Sequence, residues 1–186
     1  MRPSDGELLA RQEALQVEAR RFAEEHGVAE LLSPLGRVIP VGSAVTGLMV
    51  WRDLDYTVDA DGATAAEVWS AVHPLLTRCR RLVYADETGD RVAGTAPYER
   101  HYFVFRIDDW KLDISVWTNG APVEVERYQG DLAARLDDQA RLAILRLKDA
   151  WQTRPEYPDV VGAFEIYEAV LEHGIRTPEE LERYLA

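Results

Sequence analysis

The sequence predicts an α+β protein, a mixed β-sheet flanked by helices and followed by a C-terminal helical region. Three observations carry that prediction. Short stretches with strict alternation of apolar and polar residues, such as "DLDYTVD" at 53–59, have the period of half-buried strands. Ser4 with Glu7, and Thr64 with Glu67, have the spacing of capping boxes that open helices. Beyond about residue 120 the strand patterns stop and amphipathic helical stretches take over.

Taken in order, Ser4 opens a helix whose apolar positions include Leu8, Leu15, Ala19 and Phe22, and His26-Gly27 closes it. "RVIPVG" is a short extended element ending at a Gly42-Ser43 loop, with a turn of helix expected through "AVTGLM". The strand at 53–59 follows. Thr64 then caps a helix through "EVWSAVHPLL" that Pro74 disturbs or ends. "RRLVYAD" reads as a strand. "YERHYFVFRI" and "WKLDISVWT" read as two long strands joined by a tight hairpin at Asp108-Asp109. "DLAARLDDQARLAILRLKDAW" and "DVVGAFEIYEAVLEHG" are amphipathic, and Thr177-Pro178-Glu179-Glu180 starts a last short helix. The division expected is residues 1–120 as one unit with its N-terminal helix, and residues 121–186 as a helical region packed on it.

Bulk properties narrow the function classes. The chain has 186 residues, 47% hydrophobic and 29% charged, which suits a globular core. It has no apolar run near the ~20 residues that span a bilayer and no apolar leader at its start, so a cytoplasmic protein without membrane association is expected. The single cysteine, Cys79, excludes an internal disulfide and a multi-cysteine metal site. A net charge of −12 argues against a long nucleic acid as ligand, because such ligands need a basic face. The charge favours a small substrate or a protein partner.

Within the strand at 53–59, Leu54, Tyr56 and Val58 face one way, and Asp53 and Asp55 lie side by side on the other. In "KLDISVW" the same logic sets Leu112, Ile114 and Val116 on one face and Asp113 on the opposite one. If these strands are neighbours, three carboxylates converge. Such a group repels itself unless a cation neutralises it, and oxygen-only donors suit Mg²⁺ or Mn²⁺. A Gly-Ser loop after a strand brings backbone N–H groups and a hydroxyl to phosphate oxygens. Metal, acids and phosphate loop together describe transfer of a nucleotidyl group.

"VGS", then "DLD" nine residues on, then "LDI" in a later strand, resembles the nucleotidyltransferase superfamily of the DNA polymerase β type. The small size and helical tail are similar to compact bacterial members such as the lincosamide and aminoglycoside nucleotidyltransferases. The resemblance covers about residues 38–118, and "RLKDAW" is similar to a helix that several members carry. It implies that Asp53 and Asp55 hold the metal and that Asp113 activates the acceptor hydroxyl and shares in the metal site. It also implies that Gly42 and Ser43 contact the nucleotide phosphates and that Lys148 offsets triphosphate charge. The expected activity moves a nucleoside monophosphate from a nucleoside triphosphate (NTP) to a hydroxyl of a small molecule, antibiotics among the candidates. The alternative is an inactive member of the fold, serving as a binding module or a toxin–antitoxin component.

Plainer readings compete at other positions. The scattered histidines, with His101 on a strand, read as caps or surface residues. Arg100 and Arg106 read equally as phosphate contacts or as edge-strand charges. Trp51, Trp110, Trp117 and Trp151 read as packing before they read as an acceptor pocket. Asp59 and Asp61 belong to a turn before Gly62. Cys79 reads as a small buried apolar group.

Overall fold

A computed structural model of the chain describes residues 3–88, 99–121, 123–157 and 160–185. Tyr98, Pro122 and Asp159, which begin or bound three of the sequence elements, lie outside the described residues.

Five strands form one sheet: β1 (Arg37–Val41), β2 (Asp53–Asp59), β3 (Cys79–Asp86), β4 (Arg100–Ile107) and β5 (Trp110–Trp117). Their order is β1-β2-β5-β4-β3, with β2 parallel to β5 and the other pairs antiparallel. The sheet is therefore mixed. Asp108, at φ 50°, makes the tight β4–β5 turn, and Pro40 sits on the edge strand β1, where a missing donor is tolerated.

One face of the sheet carries Leu54, Val58, Phe103, Phe105, Leu112, Ile114 and Val116. Against it pack α1 (Asp5–Glu25), α2 (Val28–Leu32) and α4 (Ala65–Val72), through residues that include Leu15, Phe22, Val28 and Val68. Both predicted capping boxes are formed, at Ser4 and at Thr64. As Pro74 requires, the α-helical geometry of α4 stops at Val72 and a 3₁₀ segment continues over His73–Arg78. A single turn, α3 (Ser43–Thr46), follows β1.

The C-terminal stretches fold as α5 (Val123–Arg135), α6 (Asp138–Trp151), α7 (Ala163–Leu171) and α8 (Pro178–Leu185). They enclose a second apolar cluster that includes Leu132, Ile144, Leu147, Ile166 and Leu181, and one residue of the β1–β2 connection, Leu48, is buried in it. The run 131–151, read from sequence as one amphipathic stretch, is two helices. Asp137 breaks it by taking extended backbone and accepting a hydrogen bond from the Ala140 N–H at 2.7 Å, an N-cap inside the pattern. Helix α2 also went unread, being only five residues long.

Asp137→Ala should leave the new helix start uncapped and cost about 1 kcal/mol, a fall of about 2–4 °C in melting temperature at this size. Thermal unfolding followed by circular dichroism checks it, and an unchanged midpoint would mean that the break does not depend on the cap.

Candidate active site

The face of the sheet opposite the core carries the acids. Asp55 of β2 is the register partner of Asp113 on β5, and Asp53 is the partner of Lys111. The adjacency assumed from sequence is thus realised, with all three aspartates on one face. That face borders a cleft of about 440 Å³. Gly42, Ser43, Asp53, Asp55, Lys111 and Lys148 all line it, and α5, α6 and α7 close its far side.

The loop is shaped by its glycine. Gly42 has φ 77° and ψ −158°, a conformation essentially reserved for glycine. A Cβ there would lie 2.2 Å from Asp55 Oδ2, so the loop and the carboxylate pack directly on one another. Ser43 is buried at the start of α3. The turn after it is clamped from two sides. Gln16 of α1 donates to the Ala44 carbonyl at 2.8 Å, and Arg141 of α6 donates to the carbonyls of Thr46 and Gly47 at 2.7 and 2.9 Å. These bonds satisfy carbonyls that a one-turn helix leaves open.

The Asp55 carboxylate makes no hydrogen bond or ion pair among the described residues. Burial, reinforced by the Asp53 and Asp113 carboxylates, pushes its pKa up to about 8. Burial also raises Asp53, against the pull of Lys111. Asp113 accepts at Oδ2 from Tyr102 Oη and Lys111 Nζ, each at 2.7 Å, and its Oδ1 is buried with no partner. Burial and that carboxylate keep the Tyr102 phenol protonated far above its ordinary range. Lys148 is buried, donates to the Leu48 carbonyl at 2.7 Å and lies 5.7 Å from the Tyr167 ring centroid. Burial draws its pKa down to about 8.

Lys111 was missed by the sequence reading. Its ammonium sits between two of the acids, 2.7 Å from Asp113 Oδ2 and 3.3 Å from Asp53 Oδ1. Burial disfavours its charge, but the surrounding carboxylates prevail and raise its pKa. Two signals pointed to it. Lying two residues before Asp113 on one strand, it shares that face. It is also one of only two lysines in the chain, Lys111 and Lys148, and both line this cleft while every other cationic side chain of fixed charge is an arginine.

The fit of a divalent ion can be judged from these groups. Among the described residues no three acidic, histidine or cysteine side chains are gathered to hold a metal between them, and the Lys111 ammonium lies between Asp53 and Asp113. The donor set still suits Mg²⁺ or Mn²⁺. It consists of carboxylate oxygens, one of them, Asp113 Oδ1, orphaned, and the Asp55 carboxylate has no direct ion-pair partner among the described residues. Asp53 and Asp55 would hold the ion, with Asp113 within reach once Lys111 moves.

The remaining candidates divide plainly. Trp51 lines the cleft and meets Tyr157 edge-on at 5.4 Å. Trp110 stacks on Phe22 in the core, and Trp151 is buried among the C-terminal helices. Arg100 is engaged by Glu87, and His101 is buried on the core face beside Tyr84 Oη at 2.9 Å. Cys79 is half-buried, its Sγ 2.9 Å from the Arg81 carbonyl, so it is not the enclosed apolar group expected. Tyr128 and Phe164, with ring centroids 5.1 Å apart, line the helical side of the cleft and were not singled out in the sequence.

No protein-family model matches the sequence, and no curated protein matches it. Solved structures do. The chain is similar to the Cid1 poly(U) polymerase with Mg and 3′-dATP bound, at 14% identity and a TM-score of 0.58, over 85% of this chain and 49% of that one. It is similar to a cytoplasmic RNA terminal U-transferase at 14% identity and TM-score 0.55, over 90% and 54% of the two chains. Terminal uridylyl transferase 4 from Trypanosoma brucei, with UPU bound, matches at 13% identity and TM-score 0.50, over 92% and 60%. The fold is that of the nucleotidyltransferases. The chain spans about half the length of these structures. At such identities the nucleotidyltransferase fold is what the similarity establishes, and the finer likeness to lincosamide and aminoglycoside enzymes stays a resemblance of short motifs. Among the described residues no helix is long and apolar enough to cross a membrane.

Two predictions follow from the geometry. Gly42→Ala must displace the Asp55 carboxylate, so metal-dependent triphosphate binding should fall more than the roughly 1–3 kcal/mol of backbone strain lowers stability. Calorimetry set beside thermal melts checks this, and wild-type affinity in the variant would remove the loop from the site. The second concerns pH. Asp55 holds its proton in the folded protein up to about pH 8 and releases it near its ordinary value when unfolded, so the folded state binds more protons between these limits. Stability must then fall as pH rises across that window. Melted in a chelator, Asp55→Asn should gain on wild type from about pH 4 to about pH 8 and hold a constant advantage above. A gap that does not vary with pH would show that the carboxylate titrates normally.

Proposed function

We propose that this protein is a metal-dependent nucleotidyltransferase that moves a nucleoside monophosphate from an NTP to an acceptor hydroxyl. The observation that carries the reading is that Asp53, Asp55 and Asp113 share one sheet face, the first two lining a cleft with the Gly42-Ser43 loop. The nucleotidyltransferase fold of the solved relatives supports it, and one of them was determined with Mg and a nucleotide bound.

In this reading Gly42 and Ser43 face the triphosphate oxygens, and Lys148 offsets part of their charge. Asp53 and Asp55 would hold a divalent ion, which would supply Lewis acidity at the α-phosphate. The acceptor oxygen attacks the α-phosphorus, the bond to the β-phosphate bridging oxygen breaks, pyrophosphate leaves, and Asp113 takes the hydroxyl proton. Tyr102 orients Asp113 through its 2.7 Å hydrogen bond. The aromatic side of the cleft, with Trp51, Tyr128, Tyr157 and Phe164, offers rings on which a nucleobase can stack.

The acceptor we propose is a small hydroxylated molecule, because a chain of net charge −12 favours neutral or cationic partners. A second reading, an RNA 3′-hydroxyl, is favoured by the solved structures of similar fold, among them an RNA terminal U-transferase and a uridylyl transferase with UPU bound. Each NTP, supplied with Mg²⁺ or Mn²⁺ against a panel of aminoglycosides, lincosamides and a short RNA, tests both readings by release of pyrophosphate. Transfer to RNA alone would overturn the small-acceptor proposal. Triphosphate binding with no transfer to any acceptor would favour the inactive binding module.

The acids should separate by role. Asp53→Asn or Asp55→Asn should lower metal-dependent triphosphate binding and turnover together. Asp113→Asn should keep more of the binding and lose turnover on the order of 10²–10⁴-fold, because an amide accepts no proton. Affinity and turnover measured in parallel decide this, and full turnover in Asp113→Asn would exclude it as the base.

A further inference from the structure

Lys111 poses a problem for the function just proposed, and its solution rests on that reading. The ammonium stands where a cation shared by Asp53 and Asp113 would sit, 3.3 Å from one carboxylate and 2.7 Å from the other. Both carboxylates belong to the set that would carry the ion. A divalent ion drawn to them meets a positive charge already in place.

We infer that Lys111 is an internal counter-ion that weakens the hold of Asp53 and Asp113 on divalent ions while no triphosphate is bound. Asp53 and Asp113 both ion-pair with Lys111, and Lys148 lies in the same cleft, so part of the carboxylate charge is already offset without any ion. Adding a dication with Lys111 in place puts like charges together in a buried setting, where screening is weak. A triphosphate changes the balance by bringing several negative charges into the cleft. The ion gains new oxygen ligands, and the displaced ammonium gains new partners.

The choice of residue supports this. The chain uses lysine at two positions only, both in this cleft, and arginine at its other basic positions outside the histidines. An arginine fork would hold a carboxylate through two parallel hydrogen bonds. A lysine presents one compact charge on a flexible stem, which can hold the acids together and still swing away. The side chain is 16% exposed, so it borders open cleft space into which it can move. Lys148, fixed to the Leu48 carbonyl and buried, is built for a stationary role.

The inference predicts that Lys111→Met binds Mn²⁺ in the absence of nucleotide more tightly than wild type, on the order of 10–100-fold, the range that neighbours of metal ligands command. Titration calorimetry with Mn²⁺ alone reads this. Equal or weaker Mn²⁺ affinity in the variant would overturn the inference. Should Lys111→Met fail to fold, the wild type carries the test. With only two lysines, one of them buried, acylation by an amine-reactive reagent followed by peptide mass spectrometry reports on Lys111 directly. Saturating Mn²⁺ should free the ammonium and raise its acylation rate, and an unchanged rate with Mn²⁺ bound would overturn the displacement. Neither measurement uses turnover. If no acceptor ever receives a nucleotide while both results hold, the proposed reaction fails and the counter-ion role stands; if transfer occurs and both results fail, the reverse is true.

Discussion

The structure depends on one register, the parallel pairing of β2 with β5 that sets Asp55 opposite Asp113 and Leu54 opposite Leu112. Side chains on a strand alternate, so a slip of one residue would carry the apolar set to the open face and the acids into the core. Leu54, Leu112, Ile114 and Val116, all buried against the helices, make such a slip prohibitively costly. The hydrophobic core therefore places the polar site on the opposite face of the sheet. Parallel pairing also needs a long crossover, supplied by α4, β3 and β4, and it brings together acids 58 residues or more apart in sequence.

Bringing acids together is expensive, and the chain offsets that cost unevenly. Asp53 and Asp113 share the Lys111 ammonium, and Asp113 also receives Tyr102. The Asp55 carboxylate receives nothing among the described residues, and Gly42 packs against it where any other residue would press on its oxygen. A buried ion pair adds little net stability, but a buried carboxylate with no partner costs several kcal/mol or gives up its charge. Asp55 takes the second course in the ion-free protein, holding its proton to about pH 8. The strain is placed where a ligand can relieve it.

Much of this was legible in the sequence, for identifiable reasons. Period-2 alternation at 53–59 and 110–117 gave the faces, and the capping boxes at Ser4 and Thr64 gave helix starts, because both depend on neighbours close in the chain. Gly42, Ser43, Asp53, Asp55 and Lys148, positions that the resemblance singled out, line one cleft, with Asp113 beside it. The misses have a different origin. Strand adjacency was assumed, since pairing between β2 and β5 leaves no local mark. Asp137 acts as a cap within an unbroken amphipathic pattern, so periodicity ran through it. Lys111 carries no motif of its own beside Asp113, two residues on, and its mark in the sequence is the scarcity of lysine. The Tyr128–Phe164 wall arises only when α5 meets α7 across the cleft.

The loop and the C-terminal helices answer to a single constraint at Leu48. Its side chain is fully buried in the helical apolar cluster, while its carbonyl accepts from Lys148 of α6. Five residues earlier the same connection turns at Gly42-Ser43, and the Ser43 carbonyl accepts from the Leu48 N–H at 3.0 Å. Arg141, one α6 face-length before Lys148, holds the carbonyls in between. The segment that would hold phosphate is thus tied at one end to the strand carrying the acids and at the other to the helices carrying the aromatic wall. Movement of α6 must therefore move the loop. A nucleotide spanning the acids and the rings would find both sides of its site positioned by the same few hydrogen bonds, which is how a small domain can hold a cleft open without a separate scaffold.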